Sequence, residues 1–245
     1  MKAAVQNMKK IEKTAFIIQA RTQSKRIPNK MIKDFSGSNL FEIAINKILS
    51  SKIIPRENIY LSILDDELIN IAQKYNLNIF KRSEESTRER VPLQKLFEWH
   101  NKIDYDHYVI LSACCPLITT QTIEEFIDRF INSSSRGMLS VVEKKHFMFD
   151  FKNHQMLNNY LGEEKYLRTL ETKLLEPIYE AVGCLYAGTM SDFEKNIYMG
   201  TFRFKNDPEF YTMNEEESFD IDYPWQFEVG KILYKKYLTE RENNE

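Results

Sequence analysis

Four cations, Arg21, Lys25, Arg26 and Lys30, fall within ten residues and directly follow a short apolar run, Ala15 to Ile18. Behind a buried strand, such side chains and the backbone amides freed by a turn converge on one anion, and a polyphosphate is the anion that uses several cations in a row. Thr22, Gln23 and Ser24 add hydroxyl and amide groups between the cations, and Ile27-Pro28 fixes the backbone on the far side of the loop. The plain alternative is a solvated basic loop, which is what charge runs usually are. Near the other end of the chain, Asp220 and Asp222 alternate around Ile221. On extended backbone this spacing turns both carboxylates to one side, a donor pair suited to a hard divalent cation that bridges to phosphate oxygens. The same residues also read as the polar start of a helix, with Asp222 or Tyr223 near the cap and Pro224 in the first turn, and the two readings are compatible. With Glu215, Glu216 and Glu217 alongside, the aspartate pair is unspecific alone; the distant basic loop gives it weight.

Other reactive side chains carry less. Cys114, Cys115 and Cys184 cannot all pair, and two of them are adjacent at the end of a strand, which fits reduced packing thiols. His100, His107, His146 and His154 show no metal-ligand spacing, so zinc is not expected.

The elements that must position the two charged sites alternate along the chain. Strands are expected at 14–20, 58–64, 77–82 and 107–113, and helices at 39–51, 66–75, 91–101 and 120–132, a pattern of right-handed βαβ units that builds a mainly parallel, three-layer α/β fold. Leu68, Ile71, Ala72 and Tyr75 repeat at helical spacing, with Asp65 or Asp66 as the cap. A turn at 133–137 leads to a strand from Met138 to Val142, and a closing helix from Trp225 to Tyr237 carries Phe227, Gly230, Ile232, Leu233 and Tyr237 on overlapping faces. An open parallel sheet binds its ligand outside the carboxyl ends of its strands, where the loop after the first strand must lie.

Residues 143–176 depart from this rhythm. Phe147, Met148, Phe149, Phe151, Met156, Leu157, Tyr160 and Tyr166 cannot all reach the main core, so the segment reads as an inserted arm that buries itself against a partner, or as a two-stranded cover over one end of the sheet. The expected organisation is an extension at 1–13, an α/β domain at 14–142 and 177–245, and this arm between its halves. With 245 residues, 42% of them hydrophobic and a net charge of −2, the chain can fill one large α/β domain and lacks the basic excess of a nucleic-acid-binding surface. No apolar run approaches the roughly 18–20 residues that span a bilayer. Met1 to Lys13 is charged without an apolar signal core, so residence in the cytoplasm is expected.

Residues 18–31, IQARTQSKRIPNKM, resemble the N-terminal signature of the cytidylyltransferases that activate acidic sugars, the acylneuraminate and related nonulosonate enzymes, which reads roughly I-x-A-R-x-x-S-K-x-x-x-x-K-N. Ala20, Arg21, Ser24, Lys25 and Lys30 match, and Met31 replaces the final Asn. Residues 218–228, SFDIDYPWQFE, are similar to the family's D-I-D-T-x-x-D-F/W segment. Two further regions match in part. Residues 108–124 keep Pro116 and Leu117 of a Q-P-T-S-P-L-R loop, with Ser112 for Gln and Ile118 for Arg; residues 175–186 follow L-P-x-x-Y-x-x-N-G-x-x-Y, with Tyr179 kept and Val182 in place of Asn. The resemblance spans roughly Thr14 to Leu238.

The resemblance implies a nucleotide-diphospho-sugar transferase-like fold, a homodimer formed through the arm, and transfer of CMP from CTP to the anomeric hydroxyl of an acidic sugar for surface-glycan biosynthesis, with Mg²⁺ held by Asp220 and Asp222. Arg21 and Lys30 would then stabilise the α-phosphate transition state, and Ser24, Lys25 and Arg26 would hold the β- and γ-phosphates. Ala20, Arg82 and Ser112 would complete the nucleotide site, and Tyr179 and Val182 would face the acceptor. Arg82 lies in a broken R-P-x-x-L-x-x-D pattern whose Pro is Ser83. Met31, Ser112, Ile118 and Val182 each replace a polar family residue, which points to an altered acceptor or a rebuilt cytosine site. A phosphonate or sugar-phosphate acceptor, or a catalytically silent dimeric nucleotide-binding relative, are the alternatives. No side chain identifies itself as the general base.

Overall fold

In the computed structural model, which describes residues 9–158 and 171–242, the apolar run after Lys13 becomes β1 (Thr14–Gln19), buried on both faces as an inner strand of a seven-stranded sheet. Its partners are β2 (Ile59–Ile63) and β4 (His107–Leu111), both parallel to it. The chain leaves β1 through α1 (Leu40–Leu49), forms β2, passes through α2 (Asp66–Gln73) to β3 (Asn78–Lys81) on one side, then returns through α3 (Leu93–Leu96) to β4 on the other. The strand order therefore reverses between β1 and β4. Loops leaving the carboxyl ends of those two strands diverge there and open a crevice.

Beyond β4, α4 (Thr120–Asn132) leads to β5 (Met138–Lys144), the short hairpin β6 (Phe149–Asp150) and β7 (Gln155–Met156), the long β8 (Ile178–Thr189), β9 (Glu209–Thr212) and α5 (Pro224–Glu242). The sheet order is β3-β2-β1-β4-β8-β5-β9. Among the described residues its parallel character is broken only by β8, which runs antiparallel to both β4 and β5. The edge strand β9 is four residues in a polar stretch and gives little sequence signal.

Strand alternation divides the core in two. Phe16, Ile18, Val109 and Leu111 face the layer made by α1, α2, α4 and α5, whereas Ala15, Ile17, Tyr108 and Ile110 face Phe97, Trp99 and Phe193. That second layer corrects the expected helix at 91–101, of which only α3 forms. Phe97 and Trp99 both enter the same aromatic cluster, with ring centroids 5.4 and 5.5 Å from Phe193, and residues two apart cannot share one face of a helix. Glu98 between them is buried and accepts from Ser83 N (2.5 Å) and Ser83 Oγ (3.1 Å).

The closing helix also turns differently from its sequence pattern. Phe227, Gly230 and Tyr234 face inward, while Ile232 and Leu233 are exposed. Gly230 suits the inward face: a Cβ there would lie 3.0 Å from Ile221 and 3.2 Å from Phe35, tighter than ordinary contact, so a larger residue would push those side chains aside. In the arm, Phe149, Phe151 and Leu157 are exposed, and Tyr160 and Tyr166 lie outside the described residues. Among the described residues no helix is long and apolar enough to cross a membrane.

Candidate active site

The crevice between β1 and β4 holds a cleft of about 460 Å³, large enough for a small-molecule ligand. Ala20, Arg21, Ser24, Lys25, Arg26 and Lys30 line it from the loop after β1, Arg82 and Arg88 to Val91 from the segment after β3, Cys114 from the loop after β4, and Asp222 from the approach to α5. The basic loop is an ordered arch. Ser24 N donates to Thr22 O (2.8 Å), Ile27 N to Ser24 Oγ (3.3 Å) and Lys30 N to Ile27 O (3.2 Å).

Each cation of the loop is held by one of two facing segments. Arg21 Nη1 donates to Thr87 O, and Lys25 pairs with Glu89 at 2.9 Å, which holds that carboxyl below its usual range. Arg26 Nη2 donates to Asp222 Oδ1 at 2.8 Å while its guanidinium lies 4.9 Å from the Tyr223 ring centroid. Lys30 is buried; its Nζ donates to Ile221 O (2.5 Å) and lies 3.8 Å from Asp222 Oδ1. The pairs of Lys25 and Arg26 are solvent-exposed, and exposed ion pairs are weak, so phosphate oxygens can replace these carboxylates at small cost. Lys30 is different. Its buried ammonium ties the basic loop to the aspartate segment and fixes their separation.

Asp220 and Asp222 flank Ile221, which is fully buried, as the alternation predicts. Gln226 Oε1 accepts from Asp222 N (2.8 Å) and Tyr223 N (2.7 Å), so a residue of the first turn of α5 caps the helix and orients the carboxylate together. Asp220 lies behind the cleft wall near Gly183, whose added Cβ would be 3.3 Å from Asp220 Oδ2. Its Oδ1 is buried with no hydrogen-bond partner among the described residues, and burial, reinforced by the neighbouring Asp222 charge, pushes its carboxyl up to about 6. A carboxylate in that state fits a cation. Among the described residues no group of three or more His, Cys, Asp and Glu converges as a metal cage, so these two carboxylates would leave the remaining coordination to phosphate and water, as Mg²⁺ accepts.

Arg82 is buried, with Nε donating to Ser86 Oγ (3.1 Å) and Nη2 to Ser86 O. Burial, then the nearby Arg21 charge, lowers its guanidinium to about 10, so it stays charged at neutral pH. Besides Asp220, three more predicted residues lie off the cleft wall. Ser112 donates its N–H to Cys184 O (2.9 Å) and accepts from Cys114 N (3.2 Å), holding the loop after β4. Val182 packs on the main core, and Tyr179 lines a separate cavity of about 610 Å³ beside Phe210. Arg88, Glu89, Arg90 and Cys114 were missed as cleft residues. The charge run at 88–90 was the available signal for the first three, but only the fold brings it opposite the basic loop.

The chain matches the sequence model of the family described as cytidylyltransferase over residues 15–242. It is 29% identical over 235 residues to a pseudaminic acid cytidylyltransferase of Campylobacter jejuni, covering 91% of this chain and 97% of that one. It is 23% identical to an N-acylneuraminate cytidylyltransferase of Streptococcus agalactiae, covering 93% of this chain and 55% of the relative. Among solved structures, CMP:2-keto-3-deoxy-manno-octonic acid synthetase complexed with CTP superposes with a TM-score of 0.67 at 13% identity, over 92% of this chain and 99% of the other. The 4-diphosphocytidyl-2C-methyl-D-erythritol synthase of Anaerococcus prevotii superposes with a TM-score of 0.61 at 15% identity, over 92% and 98%. At those identities the likeness is one of fold.

Proposed function

Because the chain belongs to the cytidylyltransferase family, whose model it matches from residue 15 to 242, we propose that it transfers CMP from CTP to the anomeric hydroxyl of a nonulosonate-like acidic sugar. The products are a CMP-sugar for surface-glycan assembly and pyrophosphate. One observation carries the reading: Arg26 and Asp222, 196 residues apart, meet across a single cleft, so a cationic phosphate loop and a carboxylate segment face each other at the switch point of the sheet. The choice of acceptor is supported by the full-length relatives named for pseudaminic acid, a nonulosonate.

In this mechanism the cations of the loop after β1 bind the triphosphate. Arg21 and Lys30 bear on the α-phosphate, and Ser24, Lys25 and Arg26 on the β- and γ-phosphates. The sugar hydroxyl attacks the α-phosphorus in line; the new P–O bond forms as the bond to pyrophosphate breaks, and the hydroxyl proton leaves to solvent. Negative charge grows on the α-phosphate oxygens and on the leaving pyrophosphate, where fixed cations stabilise it without reorganising. Asp220 and Asp222 would hold Mg²⁺, which would supply charge neutralisation at the phosphate oxygens. The arm completes the reading: Phe149, Phe151 and Leu157, exposed in the single chain, form the contact of a cytoplasmic homodimer.

The test is pyrophosphate release with Mg²⁺ and each of the four ribonucleoside triphosphates, against acidic sugars including pseudaminic acid, N-acetylneuraminic acid and 3-deoxy-octulosonate. Release confined to CTP with a nonulosonate is the expected result. Release with 3-deoxy-octulosonate alone overturns the acceptor, and CTP that neither reacts nor binds overturns the nucleotide assignment.

A further inference from the structure

The basic loop leaves the sheet at Ala20, whose N–H still donates to Ser62 O (3.1 Å) and so extends the β1–β2 ladder one residue past the strand. Two residues later the backbones have diverged too far for that pattern, and a side chain takes over. Asp65, two residues beyond β2, accepts from Thr22 N through Oδ2 (3.0 Å) and from Thr22 Oγ1 through Oδ1 (2.6 Å). Asp65 also stands at the N-cap position of α2, where an aspartate ordinarily accepts from the first-turn amides, yet its side chain makes no cap bond. Both carboxylate oxygens are turned toward the loop instead.

Arg21 is thereby fixed on both sides, by the ladder bond of Ala20 and the double bond to Thr22. From Thr22 the arch continues through Ser24 and Ile27 to Lys30 by the hydrogen bonds already described. Every cation of the loop thus lies on a chain of contacts that begins at one carboxylate. We infer that Asp65 is the positioning residue of the phosphate loop: its paired hydrogen bonds to Thr22 set the curvature that presents Arg21, Lys25, Arg26 and Lys30 to one triphosphate. The inference rests on reading this loop as the nucleotide site.

The test compares the wild type with Asp65→Ala, Asp65→Asn, Thr22→Val, Thr22→Ser and the double variant Asp65→Ala/Thr22→Val. CTP affinity in the presence of Mg²⁺ is measured by calorimetry, and amide hydrogen exchange of residues 21–30 is measured without nucleotide. Asp65→Ala and Thr22→Val are each expected to weaken CTP about tenfold and to speed exchange in residues 21–30. The double variant should be no weaker than the worse single one, since both remove the same tie. Asp65→Asn, whose amide can accept from Thr22 N and donate to Thr22 Oγ1, and Thr22→Ser should stay within about threefold of wild type. Thermal stability of Asp65→Ala should fall by only a few degrees, from the two bonds lost to Thr22, because no helix cap is lost. Multiplicative losses in the double variant, or wild-type exchange across 21–30 in Asp65→Ala, overturn the inference. A wild type that does not bind CTP removes the nucleotide reading, and the exchange measurement then still decides the role of Asp65 in the loop.

Discussion

Asp220 shows most directly how a residue can be placed against the interest of the fold. A carboxyl pushed up to about 6 binds its proton more tightly folded than unfolded, so the penalty on the folded state grows as pH rises from the ordinary carboxylate range, where the unfolded chain ionises first, and is complete once pH passes about 6. Asp220→Asn should therefore raise the stability of the ligand-free protein at pH 7.5, by about 1–2 kcal/mol after allowance for partial exposure, while abolishing turnover. Thermal unfolding and pyrophosphate release, measured on the same preparation, check both halves; a destabilised variant would remove the argument from burial. Arg21 is the counterpart on the cationic side. Arg21→Ala should lower kcat by at least about a hundredfold if the guanidinium acts on the transition state, whereas a rise in KM alone would make it a ground-state anchor.

At the scale of elements, the start of α5 joins structure to chemistry. The Gln226 amide oxygen that caps the helix is also what holds the Asp222 and Tyr223 amides. Losing a helix cap costs about 1 kcal/mol, but a carboxylate displaced by even an ångström in a charged cleft costs far more in rate. Gln226→Ala is accordingly expected to lower Tm by only a few degrees and kcat/KM by at least about tenfold, read by calorimetry and steady-state kinetics. Equal and small effects on both would make Gln226 a cap and nothing more. The helix was legible in the sequence; its double use was not, because a Gln in the first turn carries no mark of which amides it will reach.

For the whole molecule, the end of the sheet opposite the cleft sets the response to acid. His107, at the start of β4, has a buried Nδ1 without a partner among the described residues, and burial, aided by the Lys9 charge, pushes its imidazole down to about 4 against the opposing pull of Asp106 and Asp192. The unfolded chain takes up this proton first, near pH 6.5, so the contribution of His107 to stability is complete above that pH and is lost as pH falls toward 4. His107→Gln should flatten the wild-type loss between pH 6.5 and 4, and the difference between the two unfolding curves isolates it from the carboxylates. Assembly belongs to the same scale. Phe149 and Phe151 are 62% and 92% exposed, which a solitary hairpin does not favour, and a sedimentation experiment should find a dimer that Phe149→Glu/Phe151→Glu converts to monomer. An unchanged sedimentation coefficient would move the interface elsewhere.

The sequence by itself determined the βαβ rhythm, the strand that feeds a cationic loop, and the alternation that buries Ile221 between Asp220 and Asp222, because these depend on residue type and local period. The same period misled it where distant packing overrides local preference: Phe97 and Trp99 share one aromatic cluster and so end a helix after one turn, and α5 packs Phe227, Gly230 and Tyr234 inward so that Ile232 and Leu233 face out. Only the tertiary structure decided that β8 runs against its neighbours, that Glu89 and Asp222 meet Lys25 and Arg26 from opposite sides of one cleft, and that Asp65 serves the loop rather than its own helix. Each of these joins segments far apart in the chain. No local pattern encodes such a meeting, since the free energy that selects it comes from burying the whole sheet at once.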